Sequence, residues 1–100
     1  MNVKRVLAWA MLSDNSLDKA SQLYDTLLTS TPAHEDYLNA GYCQWAMGNV
    51  QRAVELFREW MVKSGKSTEQ LLEEFRSDAD TLEMYGISET DCFLMLSLVG

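Results

Sequence analysis

Few residues in this 100-residue chain have the types and spacing for chemistry. A general base would have to be His34, the single histidine. It stands before Glu35 and Asp36, with no cysteine near it in sequence and no triad spacing. That places it as a solvent-facing histidine at the start of a helix. The two thiols, Cys43 and Cys92, could form one disulfide. The helical, proline-poor composition instead suits a reducing compartment and two free, buried cysteines. The acids Glu73-Glu74 and Asp78-Ala79-Asp80 could touch a cation, but they lack the loop pattern of a calcium site. There is no C-x-x-C, no H-E-x-x-H and no phosphate-cradling glycine loop. The expectation is a protein that is not an enzyme and uses no metal or cofactor.

Composition narrows the alternatives. Hydrophobic residues make up 47% of the chain and proline occurs once, which suits a globular domain rather than a disordered segment. No apolar run approaches the roughly 20 residues of a membrane span, and the N-terminus does not read as a signal peptide. The expected location is cytoplasmic. The net charge is −7. Residues 1–66 balance seven acids against seven bases, whereas residues 67–100 hold eight acids and only Arg76. A nucleic-acid partner is disfavoured, because phosphate binding needs a basic face. The acidic third reads as a solvated face, or as a surface for a basic partner.

Periodicity predicts helices almost throughout. Val3, Val6, Leu7, Ala10 and Met11 form one i, i+3, i+4 stripe, and Leu17, Ala20, Leu23, Tyr24, Leu27 and Leu28 a second. Ser13-Asp14-Asn15-Ser16 separates them with helix-capping types. Pro32 ends the second helix, since it lacks the N–H and its ring clashes with the preceding turn. His34-Glu35-Asp36 opens a third, with acids at its positive end. Gly48-Asn49 breaks it, and a fourth runs from Val50 to Ser64-Gly65.

The four helices repeat. A shift of 33 residues lays Ala8 on Gly41, Trp9 on Tyr42, Asn15 on Gly48, Leu17 on Val50, Ala20 on Ala53, and Tyr24 on Phe57. Small residues fall on small and aromatics on aromatics, with a period of one helical hairpin. In "GYCQWAMGNVQRAVELF", Gly41 to Phe57, the glycines then have separate tasks. Gly41 marks a crossing too close for a side chain. Gly48 serves the hairpin turn, where positive φ is useful. Ala53 gives close approach from the second helix, and Phe57 fills the gap one turn on.

Residues 34–66 resemble a tetratricopeptide repeat, whose signature runs W-x2-L-G-x2-Y, then A-x3-F, then P. Tyr37 stands in the tryptophan slot, Ala40-Gly41 in the Leu-Gly slot and Gln44 in the tyrosine slot. Ala53 and Phe57 match directly, and Gly65 takes the proline slot. Residues 1–33 resemble a degenerate copy through Leu7-Ala8, Ala20, Tyr24 and Pro32, departing at Lys4 and Met11. The resemblance implies an all-α fold: a right-handed superhelical stack of two hairpins, 1–33 and 34–66. Ala8, Ala20, Tyr24, Pro32, Ala40, Gly41, Gly48, Ala53 and Phe57 would pack the repeats. Residues 67–100 would form an acidic helical cap, similar to the closing segment of some long bacterial proteins of this family.

Within that cap, Leu71, Leu72 and Phe75 point inward from one helix, Gly86 ends the next, and Ser88-Glu89-Thr90-Asp91 starts a last, nearly all-apolar helix. Such a helix must be covered. It either closes the exposed end of the stack or serves partner binding or self-association through residues 92–99. Family resemblance also implies a scaffold function, with a peptide or partner helix received on the concave face. Arg5, Trp9, Leu12, Leu38, Tyr42 and Trp45 would line that face. The alternative is a structural end-cap of a longer stack, or a self-association domain, with no ligand of its own. An open Trp9–Trp45 face marks the first and a covered one the second.

Overall fold

The computed structural model describes residues 3–30 and 32–100, and among these every regular element is an α-helix. The first pair is α1 (Val3–Ser13) and α2 (Leu17–Leu28), and the second is α3 (His34–Ala46) and α4 (Val50–Ser64). The last third holds α5 (Thr68–Ser77), the single-turn-and-a-half α6 (Ala79–Met84) and α7 (Glu89–Val99). Of the segment 1–33, Met1, Asn2 and Thr31 lie outside the described residues.

The 33-residue repeat is present in the backbone hydrogen bonds. Asn15 N–H donates to Leu12 C=O and Ser16 N–H to Met11 C=O, closing α1. Gly48 N–H to Trp45 C=O and Asn49 N–H to Gln44 C=O close α3 in the same way. This pairing of a short and a long reach is the Schellman closure, which needs one residue in the left-handed region. Asn15 takes it at φ 60° and Gly48 at φ 85°. Asparagine tolerates that region better than other side chains, so the degenerate copy keeps its turn without a glycine. Turns of three residues hold α1 against α2 and α3 against α4 as antiparallel hairpins, and α2 packs on α3 to join the pairs.

The core runs through both hairpins. Ala8, Leu12, Ala20, Tyr24, Ala53, Phe57 and Trp60 are all buried. Gly41 is the closest point. A Cβ built there would lie 2.5 Å from Phe57 Cε1 and 2.9 Å from its Cζ. The glycine therefore lets α4 seat Phe57 directly on the α3 backbone. Pro32, between the pairs, is half-buried.

The last third does not extend the stack as a third hairpin. The radius of gyration is 12.3 Å, close to the about 13 Å of a compact 100-residue domain. Helix α5 starts at Ser67, whose hydroxyl accepts from Gln70 N–H, while the Gln70 side chain accepts from Ser67 N–H. Leu71 and Phe75 are its buried face. Ser88 and Asp91 cap α7 reciprocally, and the Ser88 backbone N–H holds the Asp91 carboxyl below the usual carboxylate range. Helix α7 packs on α4 and α5. Arg58 of α4 donates to the Val99 and Leu98 carbonyls at 3.1 and 2.9 Å, satisfying the end of α7 with a cation. Helix α7 is covered on one side only. Cys92, Met95 and Val99 are buried, while Phe93, Leu94 and Leu98 stay exposed.

Replacing Gly41 with Ala sets two effects against each other. Alanine favours a helix by about 1 kcal/mol over glycine. The new Cβ meets a Phe57 ring that is fully buried and wedged among three other rings, and overpacking of that kind costs about 1–3 kcal/mol. We expect the clash to win, with a net loss of up to about 2 kcal/mol and a lower Tm. An equal or higher Tm in a thermal melt would show that the crossing can open.

Candidate functional site

The six residues expected on a concave binding face divide into a closed region and an open one. The closed region centres on α3. Tyr42 is fully buried, with its ring 5.9 Å from Phe57 and 6.0 Å from Phe75. Trp45 is half-buried, 5.8 Å from Phe57 and 5.3 Å from Phe75. Phe57 and Phe75 themselves stand 5.2 Å apart at 68°. These are edge-to-face and tilted contacts, the arrangements that ring quadrupoles favour. Phe75 belongs to α5, so the chain's own last third fills this region.

Polar contacts fix the cover in register. Tyr42 O–H donates to the Asp78 carboxylate at 2.7 Å, at the joint between α5 and α6. Burial, with that carboxylate second, drives the Tyr42 phenol far above its ordinary range. Tyr85, just after α6, donates its O–H to the Leu12 carbonyl. Leu12 is fully buried and Leu38 nearly so. Leu12, Leu38 and Tyr42 are therefore core residues here and present no surface to a ligand. Their aromatic and aliphatic types were equally compatible with either role.

The open region is at the start of α1. Trp9 is 39% exposed, and with Arg5, Val6, Glu35 and Asn39 it lines a shallow depression between α1 and α3. The Arg5 guanidinium is committed within the protein. Its Nε and Nη2 each donate at 2.8 Å to the two carboxylate oxygens of Asp36, with Glu35 3.8 Å away. Asp36 is fully buried and also accepts from Ala33 N–H at 2.8 Å, at the N-terminus of α3. One carboxylate thus serves a planar fork, a free helix end and the positive end of the helix dipole. Sequence reasoning placed Asp36 only as a first-turn acid. Its partner lies 31 residues away, and no periodicity signals a pair of that separation.

His34 is exposed at the first position of α3. Cys43 and Cys92 are both free and buried, on different helices. Among the described residues no three His, Cys, Asp or Glu side chains gather as a metal set, and no helix is long and apolar enough to cross a membrane. One small cleft of about 130 Å³ lies between α5, α6 and α7, walled by Leu72, Phe75, Leu82, Ile87 and Cys92 with Arg76 and Glu83. It has room for a few heavy atoms, and Arg76, Glu83, Ser88 and Glu89 form its polar lining.

The ion pair carries the first prediction from this site. Arg5→Met leaves the buried Asp36 carboxyl with only a backbone donor, so it should cost about 3 kcal/mol in urea unfolding. Adding Asp36→Asn to that variant should recover part of the loss, because the uncompensated charge is gone. A double variant less stable than the single one would place the cost in packing instead.

The Cys43 thiol carries the second. Burial pushes it from about 9 up to about 11. The unfolded thiol ionises first, so the stability tied to this group is complete below pH 9 and is lost as pH rises through 11. The loss should be roughly 2 kcal/mol. Cys43→Ala should flatten that part of the alkaline decline, while the buried phenols Tyr24 and Tyr42, both raised above their ordinary value, keep the remainder. Chemical denaturation across pH 8–11 reads the slopes. Identical slopes for both proteins would remove Cys43 from the account.

Comparison with family models, curated proteins and solved structures returns no match. Function therefore rests on the contacts above.

Proposed function

We propose that this protein is a non-enzymatic structural unit of the tetratricopeptide type, a superhelical pair of hairpins whose inner face is occupied by its own last third. The observation that carries this is the seat of Phe75 among Tyr42, Trp45 and Phe57, fixed by the hydrogen bond from Tyr42 to Asp78. A face that grips a partner presents exposed aromatic anchors. Here the aromatic anchors of α3 are used internally, as in a terminal unit that covers itself. The chain then works as an element of a larger helical assembly and holds no ligand of its own in that groove.

A second reading keeps the interaction module in reduced form. It is favoured by Trp9, which remains accessible beside Arg5, Val6 and Asn39. A short apolar or aromatic segment of a partner could stack there, without occupying the region under α5.

Removal of residues 67–100 tests the closed-face reading. The 1–66 fragment should expose Tyr42, Trp45 and Phe57, elute as aggregate or dimer in size-exclusion chromatography, and show red-shifted tryptophan emission. Addition of the 67–100 peptide in trans should restore a monomer-sized complex. A stable monomeric 1–66 fragment with unchanged emission would make the last third an independent element and overturn the closed-face reading.

A further inference from the structure

We propose that the cleft walled by α5, α6 and α7 binds a free amino acid with an apolar side chain of leucine size, the side chain on the cleft floor and the two charged groups at its mouth. The proposal goes beyond the structural-unit reading, because it concerns a cavity within the last third and not the face which that third covers.

The first observation is an apolar floor that the chain leaves unfilled. Phe75, Leu82, Ile87 and Cys92 are buried side chains, and with Leu72 they wall a space of about 130 Å³. The Phe75 ring is fixed by Tyr42, Trp45 and Phe57, and Ile87 N–H donates to the Leu82 carbonyl, so these walls are set by the rest of the fold. Burial, with Asp91 and Glu89 behind it, pushes the Cys92 thiol up, so it stays protonated and adds no charge to the floor. Water on such a floor finds few polar partners, whereas an apolar cavity of this order takes a benzene-sized molecule. About four to six carbon atoms fill it, which suits a leucine side chain.

The second observation is a mouth that carries both signs of charge without pairing them. Arg76, the only base of residues 67–100, stands on the α5 wall, Glu83 on α6 and Glu89 on α7. All three are exposed, and among the described residues the ion pairs engage Arg5, Arg52 and Lys66 instead. Ser88 also lines the mouth, but its hydroxyl and N–H are both engaged with Asp91. The groups left at the mouth are one guanidinium and two carboxylates, on three separate helices.

Floor and mouth together define the ligand. A simple carboxylate meets Arg76 but also Glu83 and Glu89, and a simple amine meets the two acids but also Arg76, so each brings like charges together. A molecule with both groups on one carbon matches both signs. Its carboxylate accepts from the guanidinium, whose planar fork fits that group, and its ammonium donates to the glutamates. The apolar substituent of the same carbon enters the floor. A residue inside a peptide chain lacks both charges, so the class is the free amino acid.

The test titrates the isotope-labelled full-length chain, read by amide NMR shifts, with three probes of one carbon skeleton: leucine, isocaproate, which lacks the ammonium, and isoamylamine, which lacks the carboxylate. Leucine should give saturable shifts confined to the walls of the cleft. Each analogue should bind about tenfold more weakly or worse, the loss of one charge-assisted contact. Arg76→Gln should weaken leucine by a similar factor and strengthen isoamylamine. The double variant Glu83→Gln with Glu89→Gln should also weaken leucine, and should strengthen isocaproate. Ala79→Leu enlarges a side chain in the cleft lining and should abolish binding of all three. Circular dichroism checks each variant for retained helix, and Ala79→Met replaces Ala79→Leu if the latter unfolds. The absence of saturable shifts with leucine overturns the proposal. So does an analogue that binds the wild type as tightly as leucine, a set of shifts away from the cleft, or a leucine affinity indifferent to Arg76→Gln.

Discussion

The contact on which the structure depends is a ring lying against bare backbone. Phe57 reaches α3 at Gly41 because nothing projects there, and the ring then becomes the floor on which Tyr42, Trp45 and Phe75 assemble. Two separations are joined at that point. Helices α3 and α4 are brought close enough to exclude water, and α5, more than 10 residues beyond α4's last turn at its Phe75, gains an aromatic surface to dock on. A glycine in mid-helix is costly by about 1 kcal/mol. The cost is offset because burying aromatic rings at a single crossing removes far more apolar surface from water than one methyl group could.

A second constraint is electrostatic. Asp36 has no exposed surface, yet it carries charge, and desolvation of a lone carboxylate is costly. It is tolerated because three donors converge on two oxygens: Arg5 Nε, Arg5 Nη2 and Ala33 N–H. The arrangement joins α1 to the start of α3 across the intervening α2. Apolar packing alone would allow one helix to slide against another. A planar fork on a buried carboxylate admits one register.

Much of this was legible in the sequence, and the missed parts share a cause. The helices, the turns at Asn15, Gly48, Gly65 and Gly86 and the crossing at Gly41 depend on neighbours within about one hairpin, where periodicity and turn chemistry act. The Arg5–Asp36 pair and the Tyr42–Asp78 and Tyr85–Leu12 bonds span 31, 36 and 73 residues. Long-range pairs of this kind leave no periodic trace. For that reason Tyr42 and Leu12, read as surface anchors, turn out to be covered. In α7 the all-apolar pattern gave no stripe, so it marked no preferred side, and which three apolar residues remain in water is decided only by where α4 and α5 stand.

The charge distribution makes sense of that incomplete cover. All of the excess negative charge lies in residues 67–100, the same third that leaves Phe93, Leu94 and Leu98 exposed. Like charges on neighbouring copies oppose collapse of these apolar faces onto one another, and the opposition weakens as salt screens it. The acids of the last third therefore place the exposed side of α7 in a negative field, which opposes the approach of another acidic surface.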